Sequence, residues 1–255
     1  MFHEENFQKV QIVERKDFTP DLWIMRMRPE ARLPFQAGQY VTLGLLDGAH
    51  MIERPFSIVS SPREKDVEFF LEMVPGGGLT PALHTMAVGE TLWMRRQAKG
   101  RFTFDTRSGR KQHLFVATVT GIAPFVSMVR EMAEEIRGGR DAQYQLFILH
   151  GASRSWEFAY REELETLSRG GDWFQFIPTI SRPWEDPSWK GEVGRIEDVL
   201  RKYVDSLGLD PAQTTAYLCG HAQMIANSRE ILRRRGFPGE AIRLEAYWVP
   251  KKSEK

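Results

Sequence analysis

Apolar and polar side chains alternate in short stretches throughout the first part of the chain. Residues 8–14 and 22–28 both alternate, and Trp23, Met25 and Met27 fall on one face of the second stretch. A period of two is typical of strands that bury one face. Further β-rich stretches follow at roughly ten-residue spacing: 38–45, 56–60, 67–73, 91–94 and 101–104. The pattern predicts a small antiparallel β-barrel or sandwich.

The hydrophobic pattern changes after Asp105. Residues 113–118 form a continuous apolar run, which is expected of a strand covered on both faces, and residues 125–136 have helical periodicity. Alternating strands and helices predict a doubly wound parallel sheet, and therefore two domains, at residues 1–106 and 107–255. The further predicted strands are 144–149, 173–180, 216–219 and 242–248, and the further helices are 157–167, 196–207 and 222–235.

Composition narrows the class of protein. The chain of 255 residues is 42% hydrophobic and 27% charged, as in soluble globular proteins with a sizeable core. It has neither an apolar leader nor the run of roughly 18–20 apolar residues that a membrane helix needs, so we expect a cytoplasmic protein. The single cysteine, Cys219, excludes an internal disulfide and a chain-encoded iron–sulfur cluster. The histidines lack metal-ligand spacing, so we expect no metal site.

The charge of the chain is unevenly distributed. The formal net charge is only +1, yet seven basic residues and one acid lie between Arg95 and Lys111. Phosphates or an acidic partner would complement this segment, although a solvated barrel rim would have the same composition. No aromatic-interleaved basic motif accompanies it, so we do not expect nucleic-acid binding.

The stretch from Arg54 to Pro62 combines three chemically useful side chains. On a strand, Arg54 and Phe56 point to one face and Ser57 to the other. A cation, an aromatic ring and a hydroxyl suit an anion, a planar ring and a polar ring edge. A barrel strand with a solvated arginine would have the same sequence, so the stretch alone leaves both interpretations open.

A glycine run precedes a predicted short helix. Residues 75–80 read Pro-Gly-Gly-Gly-Leu-Thr, and we predict Thr80 as the helix N-cap with Pro81 at the first helical position. Backbone N–H groups freed by glycine beside a helix start can bind an anion. A plain loop with a capped helix remains the alternative.

Residues that follow the parallel strands are the next candidates, because ligands of such sheets bind at the carboxyl ends of the strands. Gly121 allows a tight turn after the first strand, and Gly220 permits a flat ring to approach next to Cys219. Ser153-Arg154 and Ser181-Arg182 follow the next two strands, and these pairs together favour the 2′-phosphate of NADP(H). No nucleophile–base or P-loop pattern is present, which suggests that cofactors supply the chemistry.

These segments together resemble the ferredoxin–NADP(+) reductase family. Arg54-Pro55-Phe56-Ser57 resembles its R-x-Y-S flavin motif, and residues 118–125 resemble its T-G-T-G-I-A-P-F nucleotide loop. Leu218-Cys219-Gly220 with Met224-Ile225 resembles its C-G-x-x-x-M-I segment. The resemblance covers almost the whole chain and is strongest to the compact bacterial ferredoxin/flavodoxin reductases.

The resemblance implies that the N-terminal domain is an FAD-binding Greek-key β-barrel. Arg54 and the glycine loop would bind the FAD pyrophosphate, Phe56 would pack on the flavin or its ribityl chain, and Ser57 would hydrogen-bond near flavin N5. The FAD-binding positions implied in this domain are Arg54, Pro55, Phe56, Ser57, Gly78, Leu79 and Thr80.

The resemblance also implies a C-terminal NADP(H) domain whose last segment covers the flavin. Cys219 would line the nicotinamide pocket, Tyr247 would cover the flavin, and Trp248 would lie near the FAD adenine. The implied cofactor-binding positions are Thr120, Gly121, Ser153, Arg154, Arg182, Tyr247 and Trp248. The implied catalytic positions are Ser57, Cys219 and Tyr247.

Three features depart from the family pattern. Phe56 replaces the usual tyrosine and so lacks its hydroxyl, and Val119 replaces the first glycine of the nucleotide loop. The chain also continues past Trp248 for seven residues, Val249–Lys255. Val119 in particular narrows the backbone approach and would weaken NADP(H) binding.

The expected function is a hydride exchange between FAD and NADP(H), coupled to single-electron exchange with ferredoxin or flavodoxin. The acidic carrier would dock on the basic segment Arg95–Lys111, and we expect a monomer. One alternative is a stand-alone diaphorase or the reductase component of an oxygenase. Another is a flavin-binding electron-transfer or redox-sensing subunit without NADP(H) turnover, which Val119 would favour.

Overall fold

The computed structural model describes residues 3–48 and 50–247, and this part of the chain divides into two compact units. The first unit comprises the chain up to Phe104 together with Ala123–Gly138. The second comprises Asp105–Ile122 and the chain from Gly139 onward. None of the helices in the described part of the chain is long and apolar enough to cross a membrane.

The first unit is built on a six-stranded antiparallel sheet in the order β4-β3-β6-β1-β2-β5, as the alternation predicts. The Val59 N–H, just beyond β4, donates to the carbonyl of Glu68 in β5 at 2.9 Å, so the two edges meet and the sheet closes into a barrel. Its non-consecutive neighbours give it Greek-key connectivity. The strands are β1 (Phe7–Thr19), β2 (Leu22–Pro29), β3 (Tyr40–Asp47), β4 (His50–Ser57), β5 (Val67–Glu72) and β6 (Thr91–Arg95).

Inward-facing side chains of these strands fill the barrel. Trp23, Met25 and Met27, which alternate along β2, are all fully buried in one cluster. The short helix α1 (Thr80–Thr85) adds Leu83 to the same cluster, next to Leu79. The barrel therefore has its own hydrophobic core.

Two strand predictions in this unit are wrong. The strand predicted at 56–60 is β4, which begins at His50 and ends at Ser57 because it pairs with β3 over its whole length. Charged residues and Pro55 hide the alternation of β4. The predicted strand 101–104 is absent, since the chain turns at Gly100 with φ +111°.

The helix α2 (Ala123–Arg137) packs against the barrel. The Ser127 hydroxyl donates to the carbonyl of Ser60 at 2.8 Å, and Arg130 donates to the Glu68 carboxylate at 3.0 Å. The helical periodicity predicts this helix, but it does not indicate which sheet the helix covers.

The second unit contains a six-stranded parallel sheet in the order β10-β9-β8-β7-β11-β12, which confirms the doubly wound prediction. The strand order reverses at β7, because the chain leaves it toward β8 on one side and returns to β11 on the other. The strands are β7 (Gln112–Thr118), β8 (Gln145–Ala152), β9 (Phe174–Ile180), β10 (Glu192–Val193), β11 (Thr214–Gly220) and β12 (Ile242–Ala246). The helices are α3 (Arg161–Arg169), α4 (Ile196–Ser206) and α5 (Ala222–Arg234).

Candidate functional site

The end of β4 and the glycine loop before α1 lie side by side in the first unit. A Cβ atom on Gly78 would lie 3.2 Å from a methyl carbon of Ile52 and 3.7 Å from Nη2 of Arg54. Arg54 is exposed, and within the described chain its guanidinium donates only to the carbonyl of Glu53, at 2.7 Å, without an acidic partner. A guanidinium group without an acidic partner, next to a glycine that leaves the backbone accessible, can bind an anion such as a diphosphate.

The glycine loop is closed by backbone and hydroxyl groups. The Gly77 N–H donates to the carbonyl of Val74 at 2.8 Å, and the Val74 N–H donates to the Thr80 hydroxyl at 3.1 Å. The prediction of Thr80 as N-cap is therefore wrong: α1 begins at Thr80, with Leu79 in the cap position and no side-chain cap bond. Because Leu79 and Thr80 are both buried, this loop can offer a ligand mainly its backbone.

Phe56 and Ser57 end β4 beside Arg54. Phe56 is half-buried and contacts Phe69 edge-on, with ring centroids 6.5 Å apart and planes at 71°. Ser57 is buried, and its hydroxyl has no hydrogen-bond partner among the described residues. The oxygen itself keeps some solvent exposure, so it can hydrogen-bond to a ligand or to water.

At the strand-order reversal of the second unit, the loops after β7 and β11 touch through their backbones. A Cβ atom on Gly121 would lie 2.4 Å from the Cys219 carbonyl oxygen, and one on Gly220 would lie 2.3 Å from the Thr118 hydroxyl. The Thr118 hydroxyl also accepts a hydrogen bond from the His221 N–H at 3.0 Å. The close contact with the Cys219 backbone therefore requires a glycine at position 121 whether or not a ligand binds there.

Val119 adopts a backbone conformation that favours glycine. Its φ of +42° is the only positive value of a non-glycine residue in the described chain. A left-handed conformation costs an L-residue roughly 1–2 kcal/mol, and a β-branched side chain is especially disfavoured there. Val119 therefore adopts, with strain, a backbone conformation that a glycine at this position would adopt without strain.

His150 holds the strained turn. Its Nε2 lies 2.9 Å from the Val119 carbonyl oxygen. Burial lowers the pKa of His150 to about 4, so the ring is neutral at pH 7. Since a carbonyl can only accept, Nε2 must carry the proton. Sequence reasoning finds only that the histidines lack metal-ligand spacing and misses this role of His150, because residues 119 and 150 come together only through the β7–β8 pairing.

Cys219, Glu245 and Tyr247 form a small cluster at the carboxyl ends of β11 and β12. Cys219 and Glu245 are paired in register, and the Tyr247 N–H approaches the Gly220 carbonyl at 3.4 Å. Burial raises the pKa of the Cys219 thiol well above its usual value, the charge of Glu245 adds to this, and a hydrogen bond with Tyr247 opposes it. Cys219 is therefore a neutral thiol, which favours a lining role over nucleophilic attack.

Glu245 is a site residue that sequence reasoning missed. Its Oε2 atom is buried without a hydrogen-bond partner among the described residues. Burial raises the pKa of Glu245 to about 7, so the carboxyl holds a proton over part of the physiological range. Its position two residues before a candidate aromatic cap is the only sequence signal. Trp248, predicted near the adenine, lies outside the described residues.

Glutamine at position 245 is expected to flatten the pH dependence of stability. Between pH 4.5, the usual pKa of a glutamate, and about pH 7, the folded protein keeps the Glu245 proton, whereas the unfolded chain loses it. This group therefore makes the free energy of unfolding fall by about 3 kcal/mol as the pH rises through that window. Denaturant unfolding of wild type and Glu245→Gln at pH 5 and pH 7.5 measures the difference. Parallel pH profiles would contradict the assignment.

The two Ser–Arg pairs at the ends of β8 and β9 lie next to each other. The Arg182 N–H donates to the carbonyl of Ser153 at 3.0 Å, and the Ser181 N–H donates to that of Ala152 at 3.0 Å. The arginines, however, already contact acids: Arg154 Nε donates to Glu185 at 2.6 Å, and Arg182 Nη1 lies 3.6 Å from the same carboxylate. Sequence reasoning predicts that the two arginines lie together, but it does not predict their contacts with Glu185, which follows Arg182 by three residues.

Two exposed tryptophans, each two residues after one of these arginines in the sequence, were also missed. The side chains of Trp156 and Trp184 are 47% and 71% exposed, and the Arg154 guanidinium lies 5.8 Å from the ring centroid of Trp156. An exposed aromatic face beside an anion-binding group can stack a flat base. Within the described chain, no group of three or more metal-ligating side chains lies together.

Family models match both halves of the chain. The model described as the oxidoreductase FAD-binding domain matches residues 9–104, and the oxidoreductase NAD-binding domain model matches residues 115–230. The sequence is 35% identical over 219 residues to "Ferredoxin--NADP reductase B" of Sorangium cellulosum, covering 84% of this chain and 85% of that protein. The chain belongs to the ferredoxin–NADP reductase family. It is an FAD- and NAD(P)-binding oxidoreductase.

Two further comparisons place this family member among its relatives. It is 29% identical to the phenol 2-monooxygenase reductase component DmpP of Pseudomonas sp., covering 82% of this chain but 56% of that protein. A ferredoxin NADP+ reductase of Neisseria gonorrhoeae, crystallised with FAD and NADP, has the same fold, with a TM-score of 0.81 and 24% identity. That alignment covers 95% of this chain and 99% of the other.

Proposed function

We propose that this protein is a ferredoxin or flavodoxin reductase that uses FAD and NADPH. The observation that carries the proposal is the 35% identity to a ferredoxin–NADP reductase across 84% of the chain, which includes both units. When bound, FAD supplies the step that accepts two electrons as a hydride from the nicotinamide and releases them one at a time. All other steps depend on binding and orientation by the chain.

The residues of the first unit fit FAD. Gly78 lies next to Arg54, since a Cβ atom at this position would be 3.7 Å from Arg54 Nη2, and Arg54 has no acidic partner among the described residues. Arg54 and the backbone of the glycine loop would bind the pyrophosphate, and Phe56 would pack on the flavin or its ribityl chain. The Ser57 hydroxyl, which has no hydrogen-bond partner among the described residues, would hydrogen-bond to the polar edge of the ring.

The residues of the second unit would bind and orient the nicotinamide nucleotide. Thr120 and Gly121 lie at the strand-order reversal, where ligands of doubly wound sheets bind. The neutral Cys219 thiol would line the nicotinamide pocket without ionising, and the 40% exposed Tyr247 would cover the flavin ring. Ser153, Arg154 and Arg182 would bind the 2′-phosphate.

Part of the basic segment is available for an acidic carrier. Arg95 pairs with Glu53 at 2.8 Å, and Arg110 lies 3.7 Å from Glu240. In the first unit, the remaining basic side chains of the segment are exposed and form no salt bridge within the described chain: Arg96, Lys99 and Arg101. Their charge would steer an acidic ferredoxin or flavodoxin toward this surface, with a rate that falls as salt is added.

The flavin spectrum during titration with NADPH tests the proposal. Purified protein is expected to be yellow and to bleach faster with NADPH than with NADH. It should then reduce ferredoxin or flavodoxin faster than free flavin or quinone, and at saturating NADPH added salt should slow the reaction with the carrier more than the reaction with quinone. A colourless protein that binds no added FAD would refute the proposal.

A second candidate is the reductase component of an oxygenase. The similarity to the phenol 2-monooxygenase reductase component favours it, although the chain spans only 56% of that protein. A preference for an oxygenase over both ferredoxin and flavodoxin would identify this function. A subunit without turnover is less well supported, because Val119 has the backbone conformation that the family's glycine would allow.

Replacing Arg54 by alanine is expected to weaken FAD binding by about 10- to 100-fold, the effect of losing a charge-assisted hydrogen bond. FAD released on dilution, measured by its fluorescence, reports the dissociation constant. Arg28→Ala is a matched control, because Arg28 is an exposed arginine of the same barrel whose partner is Asp66. Equal FAD affinity in the two variants would remove Arg54 from the pyrophosphate site.

A further inference from the structure

Two buried carboxylates are fixed components of the cluster around Ser153 and Arg154. Glu157 accepts hydrogen bonds from the Ser153 N–H at 2.8 Å and from Arg154 Nη1 at 3.1 Å. Asp186 accepts hydrogen bonds from the Ser155 N–H at 3.0 Å and the Ser188 hydroxyl at 2.8 Å. Both acids are less than a tenth exposed, so they hold the loop in place and cannot easily leave.

Glu185 is a different kind of acid. It lies at the end of the single turn Pro183–Glu185, is exposed, and forms ion pairs with both Arg154 and Arg182. In contrast to Glu157 and Asp186, it accepts no backbone hydrogen bond within the described chain. The two guanidinium groups alone hold its carboxylate, and rotation of its side chain into solvent would release both.

The charges of the two arginines and of the two acids that contact them cancel. Arg154 and Arg182 contribute two positive charges, and Glu157 and Glu185, which contact them, contribute two negative charges. A 2′-phosphate carries between one and two negative charges near pH 7. It would therefore meet two arginines whose charges are already balanced, because Arg154 donates to Glu157 and Glu185 and Arg182 forms an ion pair with Glu185 at 3.6 Å. The carboxylates would also repel it.

We propose that Glu185 is a specificity-determining residue that competes with the 2′-phosphate of NADP(H) for Arg154 and Arg182. This inference rests on the proposed function, which assigns the 2′-phosphate to these arginines. NADPH must displace the carboxylate before both guanidinium groups can bind the phosphate. NADH has no 2′-phosphate and leaves the ion pairs intact. Glu185 thereby narrows the difference in affinity between the two nucleotides.

Glu185→Gln in the FAD-loaded protein tests the inference, because it removes the charge and keeps the size of the side chain. Binding of adenosine 2′,5′-bisphosphate and of 5′-AMP is measured by calorimetry, and flavin reduction is followed with NADPH and NADH. We expect the bisphosphate to bind about tenfold more tightly, equivalent to about 1.4 kcal/mol, and the KM for NADPH to fall. The affinity for 5′-AMP and the KM for NADH should stay the same.

Glu230→Gln is the matched control. Glu230 is an exposed acid of the second unit on α5, where it pairs with Arg234 at 3.0 Å. This variant removes one negative charge without touching the two arginines, and it should bind both nucleotides as wild type does. A tenfold gain in this control as well would mean that net charge alone is responsible, which would overturn the inference.

The remaining outcomes separate this inference from the proposed function. An unchanged ratio of bisphosphate to 5′-AMP affinity in Glu185→Gln would overturn the inference. A selective loss of NADH binding would do the same, because it would show that Glu185 binds a ribose hydroxyl instead. Tighter bisphosphate binding together with a flavin that neither nucleotide reduces would support the inference and refute the proposed function.

Discussion

Alanine at position 121 is expected to slow the reduction of bound flavin by NADPH by about 10- to 100-fold, while FAD remains bound. The added Cβ atom would lie 2.4 Å from the Cys219 carbonyl oxygen and 2.8 Å from the Gly220 Cα atom. Both are backbone atoms and cannot rotate away, so the loops after β7 and β11 must separate. Overpacking of this kind costs roughly 1–3 kcal/mol, and the same displacement would distort the proposed nicotinamide site.

FAD should stay bound to Gly121→Ala because its proposed ligands, Arg54 and Gly78, belong to the other unit. Stopped-flow absorbance measures flavin reduction, and the absorbance ratio of flavin to protein measures FAD content. Gly239→Ala is the control: it lies in the same unit, and its new Cβ would meet only the flexible end of Arg233, at 3.7 Å. Wild-type reduction rates in Gly121→Ala would contradict the prediction, because they would show that the loops after β7 and β11 can separate without harming the proposed nicotinamide site.

Removing both candidate phosphate ligands is expected to erase the preference for NADPH. In Arg154→Ala/Arg182→Ala the KM for NADPH should rise by about 30- to 100-fold, since each charge-assisted hydrogen bond to phosphate is worth about 1.5–3 kcal/mol and Glu185 offsets part of it. Glu157 and Glu185, which contact these arginines in wild type, would then repel the 2′-phosphate. The KM for NADH should change by less than about threefold.

Steady-state reduction of an artificial acceptor with each nucleotide gives the ratio of the two KM values. Arg201→Ala serves as control, because this arginine is 74% exposed on α4 and its Nε atom lies 3.9 Å from the Asp205 carboxylate. Equal increases of KM for NADPH and NADH in the double variant would remove the 2′-phosphate assignment. They would show that the arginines act on the nucleotide as a whole or on the fold.

Local periodicity was sufficient for most of the fold. The alternating Trp23, Met25 and Met27 occur on a strand with one buried face, and the apolar run that contains Phe115 and Val116 is a central parallel strand. Periodicity failed for β4, where Glu53, Arg54 and Pro55 interrupt the apolar pattern and pairing with β3 determines the strand. Cross-strand hydrogen bonds can stabilise a strand whose side chains do not alternate between apolar and polar.

The candidate site could be predicted only as separate parts. Arg154, Arg182 and Cys219 could be predicted from their positions at the strand ends, because ligands of parallel sheets bind there. The sequence does not reveal that Glu185 pairs with both arginines or that His150 hydrogen-bonds to the carbonyl of Val119. These contacts depend on side chains brought together by neighbouring strands, and no local rule specifies them.

The amino-acid sequence by itself determined the two kinds of sheet, the family and most of the candidate ligands, since periodicity and motifs are local properties. The tertiary structure decided how those residues are used. Among the described residues it left Arg54 without an acidic partner beside Gly78, placed Val119 in a left-handed turn, and compensated Arg154 with Glu185. The physical reason is that charge compensation and backbone contact depend on distance in space, which only the pairing of remote strands establishes.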